Sequence, residues 1–102
     1  MTRGSLVVGA WNPWSLRLGE AINRARDAVL QGELHARGLA SRRLIGGSGG
    51  WWEEFWCVDP ATTADGERLL DLLLIRYQQW AGLIQRDQLL LRWRDGREEP
   101  LS

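Results

Sequence analysis

A chain of 102 residues, 44% apolar and 25% charged, is long enough to enclose one hydrophobic core without metal or disulfide staples and too short for two ordinary domains. Thirteen basic and thirteen acidic residues cancel, which excludes the net field that draws proteins to nucleic acid or to anionic membranes. Every basic residue is arginine, so no Schiff-base or phosphate-loop lysine exists, and the single Cys57 excludes an intrachain disulfide.

The opening residues hold too short an apolar run for a signal peptide, and no stretch approaches the ~18 apolar residues of a membrane span. A cytoplasmic protein is expected. Seven tryptophans are the unusual feature. Each large aromatic buries about 150–250 Å², so either the core is rich in indole or some of that surface meets a ligand or partner.

In chain order, the short β-branched run at 5–11 predicts a buried strand, closed by Asn12-Pro13. Asn12 as N-cap and Pro13 at the first helical position predict a helix from there. Trp14, Leu18, Ala21, Ile22, Ala25, Ala28 and Val29 form its apolar stripe, with Arg17, Glu20, Arg24, Asp27 and Gln31 opposite. Glu20–Arg24 and Glu33–Arg37 are i,i+4 pairs in the favourable orientation. Gly32 and Gly38 are both possible ends. Gly38 is preferred because it leaves His35 and Arg37 in the last turn, where they complement the helix dipole.

A more polar strand follows at 40–45, its Arg42-Arg43 pair suited to a sheet edge. Five glycine or serine residues at 46–50 predict a flexible hairpin loop. An aromatic strand then runs from Trp51 to about Val58. Thr62-x-x-Asp65 resembles a capping box for a leucine-rich helix over 67–81, with Gly82 as its C′ residue. Alternation of Leu89, Leu91 and Trp93 against Leu90, Arg92 and Arg94 predicts a last strand at 88–94. The chain reads as one α+β domain over 1–96 and a polar tail over 97–102.

The order βαββαβ predicts a ferredoxin-like split βαβ fold: a four-stranded antiparallel sheet with two helices on one face. The first and third strands would be central, the second and fourth at the edges. Along the aromatic strand, Trp51, Glu53, Phe55 and Cys57 alternate with Trp52, Glu54, Trp56 and Val58. The second set is the larger apolar surface and is expected to face the helices.

The expected function is therefore association. An apolar aromatic sheet face bearing Trp51, Glu53, Phe55 and Cys57, with Leu74 and Ile75 of the leucine-rich helix, would form a homodimer or bind another protein. The alternative is a small-molecule binding protein or small enzyme. Its pocket would lie between the open face and the glycine loop, where Gly47, Ser48 and Gly49 act as a lid. Asn12, His35, Glu53, Cys57 and Tyr77 are the candidate polar groups.

His35 in a last helical turn is more simply a dipole partner, and Cys57 among aromatics more simply a small buried hydrophobe. One histidine and one cysteine do not make a structural zinc site. No cofactor is indicated, and no catalytic residue is assigned. The glycine loop precedes a strand, so no helix N-terminus cradles an anion there. Single-stranded RNA binding on the third strand would need basic residues where Glu53 and Glu54 stand. Neither nucleic acid nor membrane is expected as a partner.

Overall fold

The protein, seen in a computed structural model, is described over residues 1–60 and 62–101; the side chain of Ser48 also lies outside the description. The elements are β1 (Leu6–Gly9), α1 (Glu20–Ala36), β2 (Ala40–Ser48), β3 (Trp51–Asp59), α2 (Thr63–Arg76), β4 (Ala81–Gln85), β5 (Leu89–Trp93) and β6 (Glu98–Pro100), with a 3₁₀ turn at Pro13–Ser15. The strands form one six-stranded sheet in the order β2-β3-β1-β4-β5-β6, and every neighbouring pair is antiparallel.

This α+β architecture overturns the four-stranded ferredoxin-like expectation: the sheet has six strands, and their order is not that of the expected fold. The error began at Ala81-Gly-Leu-Ile-Gln85, which the leucine density of the preceding helix disguised as a helical end. Those residues are β4, paired to β1 through Leu6↔Ile84 and Val7↔Leu83. Gly82 is not a helix cap. It lies under α2, where a Cβ would come 2.7 Å from the Val7 carbonyl and 2.7 Å from Leu70. The expected polar tail supplies β6 over Glu98–Pro100, which pairs with β5. Glu98 there accepts from Arg92 at 2.6 Å and from Arg86 at 2.8 Å.

Both helices cover one face of the sheet. Leu6 and Val8 of β1, Trp56 and Val58 of β3, and Ile84 of β4 enclose the core with Leu30 and Leu34 of α1 and Leu69, Leu70, Leu73 and Leu74 of α2. Fully burying one such leucine stabilises the fold by about 1.5–3 kcal/mol. Thr62 caps α2, its side chain accepting from the Asp65 N–H at 3.0 Å as the capping pattern predicted. The helix ends at Arg76, and its outer face leaves Ile75 62% exposed.

α1 departs from its predicted pattern. It begins at Glu20 rather than Pro13, and Asn12 makes no cap. Its buried face is Asn23, Asp27, Leu30 and Leu34, while Ile22 and Val29 of the predicted apolar stripe are exposed. The helix lies over polar partners: Asp27 accepts from the Trp56 indole N–H at 2.9 Å and from Arg43 at 2.9 Å. Its end is as expected. Gly38 adopts φ +68° beyond the last turn, and its N–H and that of Leu39 donate to the carbonyls of His35 and Leu34. Glu20–Arg24 and Glu33–Arg37 pair at 3.1 and 2.9 Å.

The glycine-rich stretch is a hairpin rather than a loose loop. Gly46, Gly47 and Ser48 belong to β2 and pair with Glu53, Trp52 and Trp51, leaving Gly49-Gly50 as a two-residue turn with φ +62° and +79°. A Cβ on Gly47 would run into the Trp51 carbonyl. The lid expected of Gly47, Ser48 and Gly49 therefore has its backbone held in a strand ladder and tight turn. The radius of gyration is 12.8 Å, that of a compact chain of this length. Among the described residues no helix is long and apolar enough to cross a membrane.

Candidate functional site

β3 carries two consecutive carboxylates on opposite faces of the sheet, both buried. Glu54 faces α1 and is neutralised by Arg24 at 2.6 Å and Arg43 at 2.9 Å. Glu53 faces away from the helices, and no arginine pairs with it among the described residues. Its one side-chain hydrogen bond there comes from Asn12, whose Nδ2 donates to Oε2 at 3.0 Å. Burial pushes the Glu53 carboxyl above its ordinary value, and the Asn12 bond pulls it part of the way back.

Asn12 is held in a single orientation. Its Oδ1 accepts from the Leu18 backbone N–H at 2.8 Å and from Asn23 Nδ2 at 2.9 Å, while its own N–H donates to Asn23 Oδ1 at 2.9 Å. A backbone N–H is only a donor, so Oδ1 must face Leu18 and Nδ2 must face Glu53. The backbone around it is unusual: Asn12, Trp14 and Ser15 have φ of +49°, +51° and +61°. Left-handed geometry costs roughly 1–2 kcal/mol per non-glycine residue. The Trp14 N–H donating to the Gln78 carbonyl at 2.6 Å helps hold this turn in place.

Glu53 and Asn12 form part of a cleft of about 400 Å³ on the helix-free face. Its walls are Trp51 and Phe55 of β3, Trp80 before β4, Trp93 of β5, and Ser15 and Gln79 from the flanking turns. Gln79 is also oriented by its surroundings. Its Nε2 donates to the carbonyls of Trp11 and Tyr77, both at 3.0 Å, which turns Oε1 the other way. Trp80 packs against Trp14 at a tilt of 52° with ring centroids 4.7 Å apart, and Arg94 lies over both rings.

The cleft adjoins a second cavity of about 440 Å³, reached past Phe55, Ala81 and Leu91, whose lining is almost wholly apolar: Val7, Leu44, Leu83 and Leu89 among others. Phe55 lies across two glycines, with the Cβ positions of Gly9 and Gly46 at 2.9 and 3.2 Å from its ring. A smaller cavity of about 190 Å³ lies on the other side of Asn12, between Trp11, Trp52 and Gly50. The described residues include two buried side-chain donors without a partner, the indole N–H groups of Trp11 and Trp93. Each lines one of the two cavities that flank Asn12.

The structure thus brings together Trp51, Glu53, Phe55 and Asn12 of the sequence-predicted groups. Cys57 shares their face but is buried between β1 and β2, opposite Val7 and Arg42. Leu74 is fully buried in the core and is no surface residue, so the expectation that it contributes to an interface is corrected. Ile75 is exposed on α2, on the opposite side of the sheet from the cleft. His35 sits in the last turn of α1 and lines a separate cavity with Ser41 and Trp56, not the cleft. Tyr77 is tied to Glu33, donating its hydroxyl at 2.8 Å, and burial with that bond pushes its pKa up to about 12.

Of the glycine stretch, Gly50 lines the smaller cavity and Gly46 the apolar one, while the cleft around Glu53 opens toward β4 and β5. Gln79, Trp80, Trp93 and Ser15 were not singled out from sequence. The surplus of tryptophan was a signal for the indoles, and nothing local marked the other two. A carboxyl raised above its usual range in an aromatic cleft can hold a cation or exchange a proton. Among the described residues, no three His, Cys, Asp or Glu side chains are grouped to hold a metal ion.

A model for a protein family described as of unknown function, DUF3293, matches residues 8–81, a span that runs from β1 to the start of β4 and includes Asn12, Glu53 and Gln79. No curated protein and no solved structure matches the chain. The matched span covers well over half of the sequence, and the chain belongs to this family.

Proposed function

We propose that this DUF3293 protein binds a small organic molecule in the cleft on the helix-free face of its sheet, with Glu53 as the polar anchor. The observation that carries this reading is the isolation of Glu53: a buried carboxyl oriented by Asn12, facing a concave aromatic surface, with no cation among the described residues to neutralise it. Proteins seldom bury a carboxylate unpaired. Clefts of this size with a few fixed polar groups on an apolar lining are the usual form of ligand sites.

A thermal-shift screen of small metabolites, read together with the tryptophan fluorescence of the cleft, tests the proposal. A binder should shift the melting temperature and perturb the emission, and a Trp51→Leu variant should weaken it. A broad screen in which no compound produces either change would remove the reading.

Association remains a second proposal, favoured by the apolar cavity beside the cleft, where a neighbouring copy could bury Val7, Leu44, Leu83 and Leu89. Light scattering at tens of micromolar decides it, because a strict monomer removes the homodimer. That reading places Glu53 on the associating face but gives its buried carboxyl no partner, which is why ligand binding stands first.

A further inference from the structure

We infer that the ligand of this cleft is an organic cation, a protonated amine or amidine carried on an apolar body. This deepens the ligand-binding reading and rests on it. The hydrogen-bonding capacity left over at Glu53 and Gln79 is acceptor capacity. Asn12 occupies Oε2 of Glu53, and Oε1 takes no hydrogen bond from the described residues. Gln79 directs both of its donor interactions at the carbonyls of Trp11 and Tyr77, so its Oε1 is the end left for another group. A carboxylate accepts only, and the geometry of Gln79 leaves an acceptor. Two acceptors call for a ligand rich in N–H donors.

Two nearby arginines already cover indoles of the cleft wall, and two others serve a different carboxylate. Arg94 lies over Trp14 and Trp80, at 4.9 and 5.1 Å from the ring centroids; Arg97 lies over Trp93 at 5.2 Å and bonds to Asp95 at 3.0 Å. Arg24 and Arg43 serve Glu54 on the opposite face. Among the described residues Trp51 is the cleft indole with no arginine over it, and an open aromatic face attracts a cation. An anionic head would meet the Glu53 carboxylate and be repelled.

The body of the ligand is set by the adjoining cavity. Past Phe55 and Leu91 the lining offers Val7, Leu83 and Leu89, with scarcely a polar group. An alkyl or aryl chain there would be removed from water while its head sits against Glu53. Each methylene buried there should tighten binding about fourfold.

Isothermal titration of the full chain at pH 7 with octylamine, octanol and octanoate tests the inference, each probe below its micellar concentration. Octylamine, protonated at that pH because alkyl amines titrate near 10, should bind at least tenfold more tightly than octanol, and octanoate more weakly than either. Glu53→Gln keeps the side-chain shape and should bring octylamine and octanol to equal affinity. Glu53→Asp keeps the charge and should retain part of the preference, which separates a charge effect from a disturbed fold. Octanol binding as well as octylamine, or Glu53→Gln leaving the preference unchanged, overturns the cation while the cleft survives. Absence of binding by all three probes overturns the cleft reading as well.

Discussion

Glu53 and Glu54 are neighbours in the chain and almost equally withdrawn from water, at 7% and 5% exposure, yet the sheet gives them opposite surroundings. On the helix side, Glu54 joins a closed electrostatic network: Arg43 bridges it to Asp27, Asp27 also takes the Trp56 indole N–H, and Arg24 adds a second cation. On the other side, Glu53 has a single neutral donor among the described residues, and a cleft. A buried charge that is fully partnered contributes to structure, whereas an unpartnered one carries a desolvation cost that the fold tolerates and a ligand can relieve. The same residue type one position apart is thus a strut on one face and a candidate binding group on the other.

The largest effect belongs to the network. Asp27→Ala leaves a buried indole N–H unpaired and removes one of the two carboxylates that hold Arg43, and should cost about 3 kcal/mol in urea unfolding. A loss under about 0.5 kcal/mol would mean the helix side is no more rigid than the cleft. Next comes Gly82→Ala, which places a methyl against the Val7 carbonyl and Leu70 beneath α2. It should destabilise by roughly 1–3 kcal/mol, measured by the same denaturation.

Glu53→Gln should behave in the opposite sense. The Glu53 carboxyl is raised by burial from an ordinary value of 4.5, so in the window just above 4.5 the native state holds a proton that the unfolded chain has released. Stability from this group is therefore full below 4.5 and is lost as pH rises through the native value. The variant lacks that loss, and its stability relative to the parent should grow from pH 4.5 upward and then level off once the pH has passed the native value. A parent and variant with parallel pH curves would show that Glu53 is not strained by burial. The smallest effect is expected at Ile75→Ser on the exposed outer face of α2, within about 0.5 kcal/mol and without change in ligand binding. A switch from dimer to monomer in that variant would move the interaction surface to the helices.

Some of the fold was legible from local pattern. Thr62 and Asp65 marked the start of α2, Gly38 the end of α1, and the alternation of Leu89, Leu91 and Trp93 marked β5. The face assignment along β3 followed from the larger apolar set, of which Trp56 and Val58 join the core under the helices while Trp52 stays exposed. Periodicity misled where partners are polar. α1 buries Asn23 and Asp27 because Asn12, Arg43 and Trp56 wait for them, so its apolar stripe of Ile22 and Val29 faces outward. β4 was hidden because five residues after a leucine-rich helix carry too little pattern to show a change of period.

The sequence by itself determined the local elements: the aromatic strand with two apolar faces, the leucine-rich helix with its cap, and the helix pairs of arginine with glutamate. These depend on neighbours within a turn or a strand repeat, where spacing in the chain equals spacing in the protein. Only the tertiary structure decided that the sheet has six strands, that Glu54 is neutralised and Glu53 is not, and that a cleft exists. Its residues, Asn12, Glu53, Gln79 and Trp93, come from a turn, two strands and the approach to β4. Their meeting depends on strand order and register, which long-range pairing sets and no local period records.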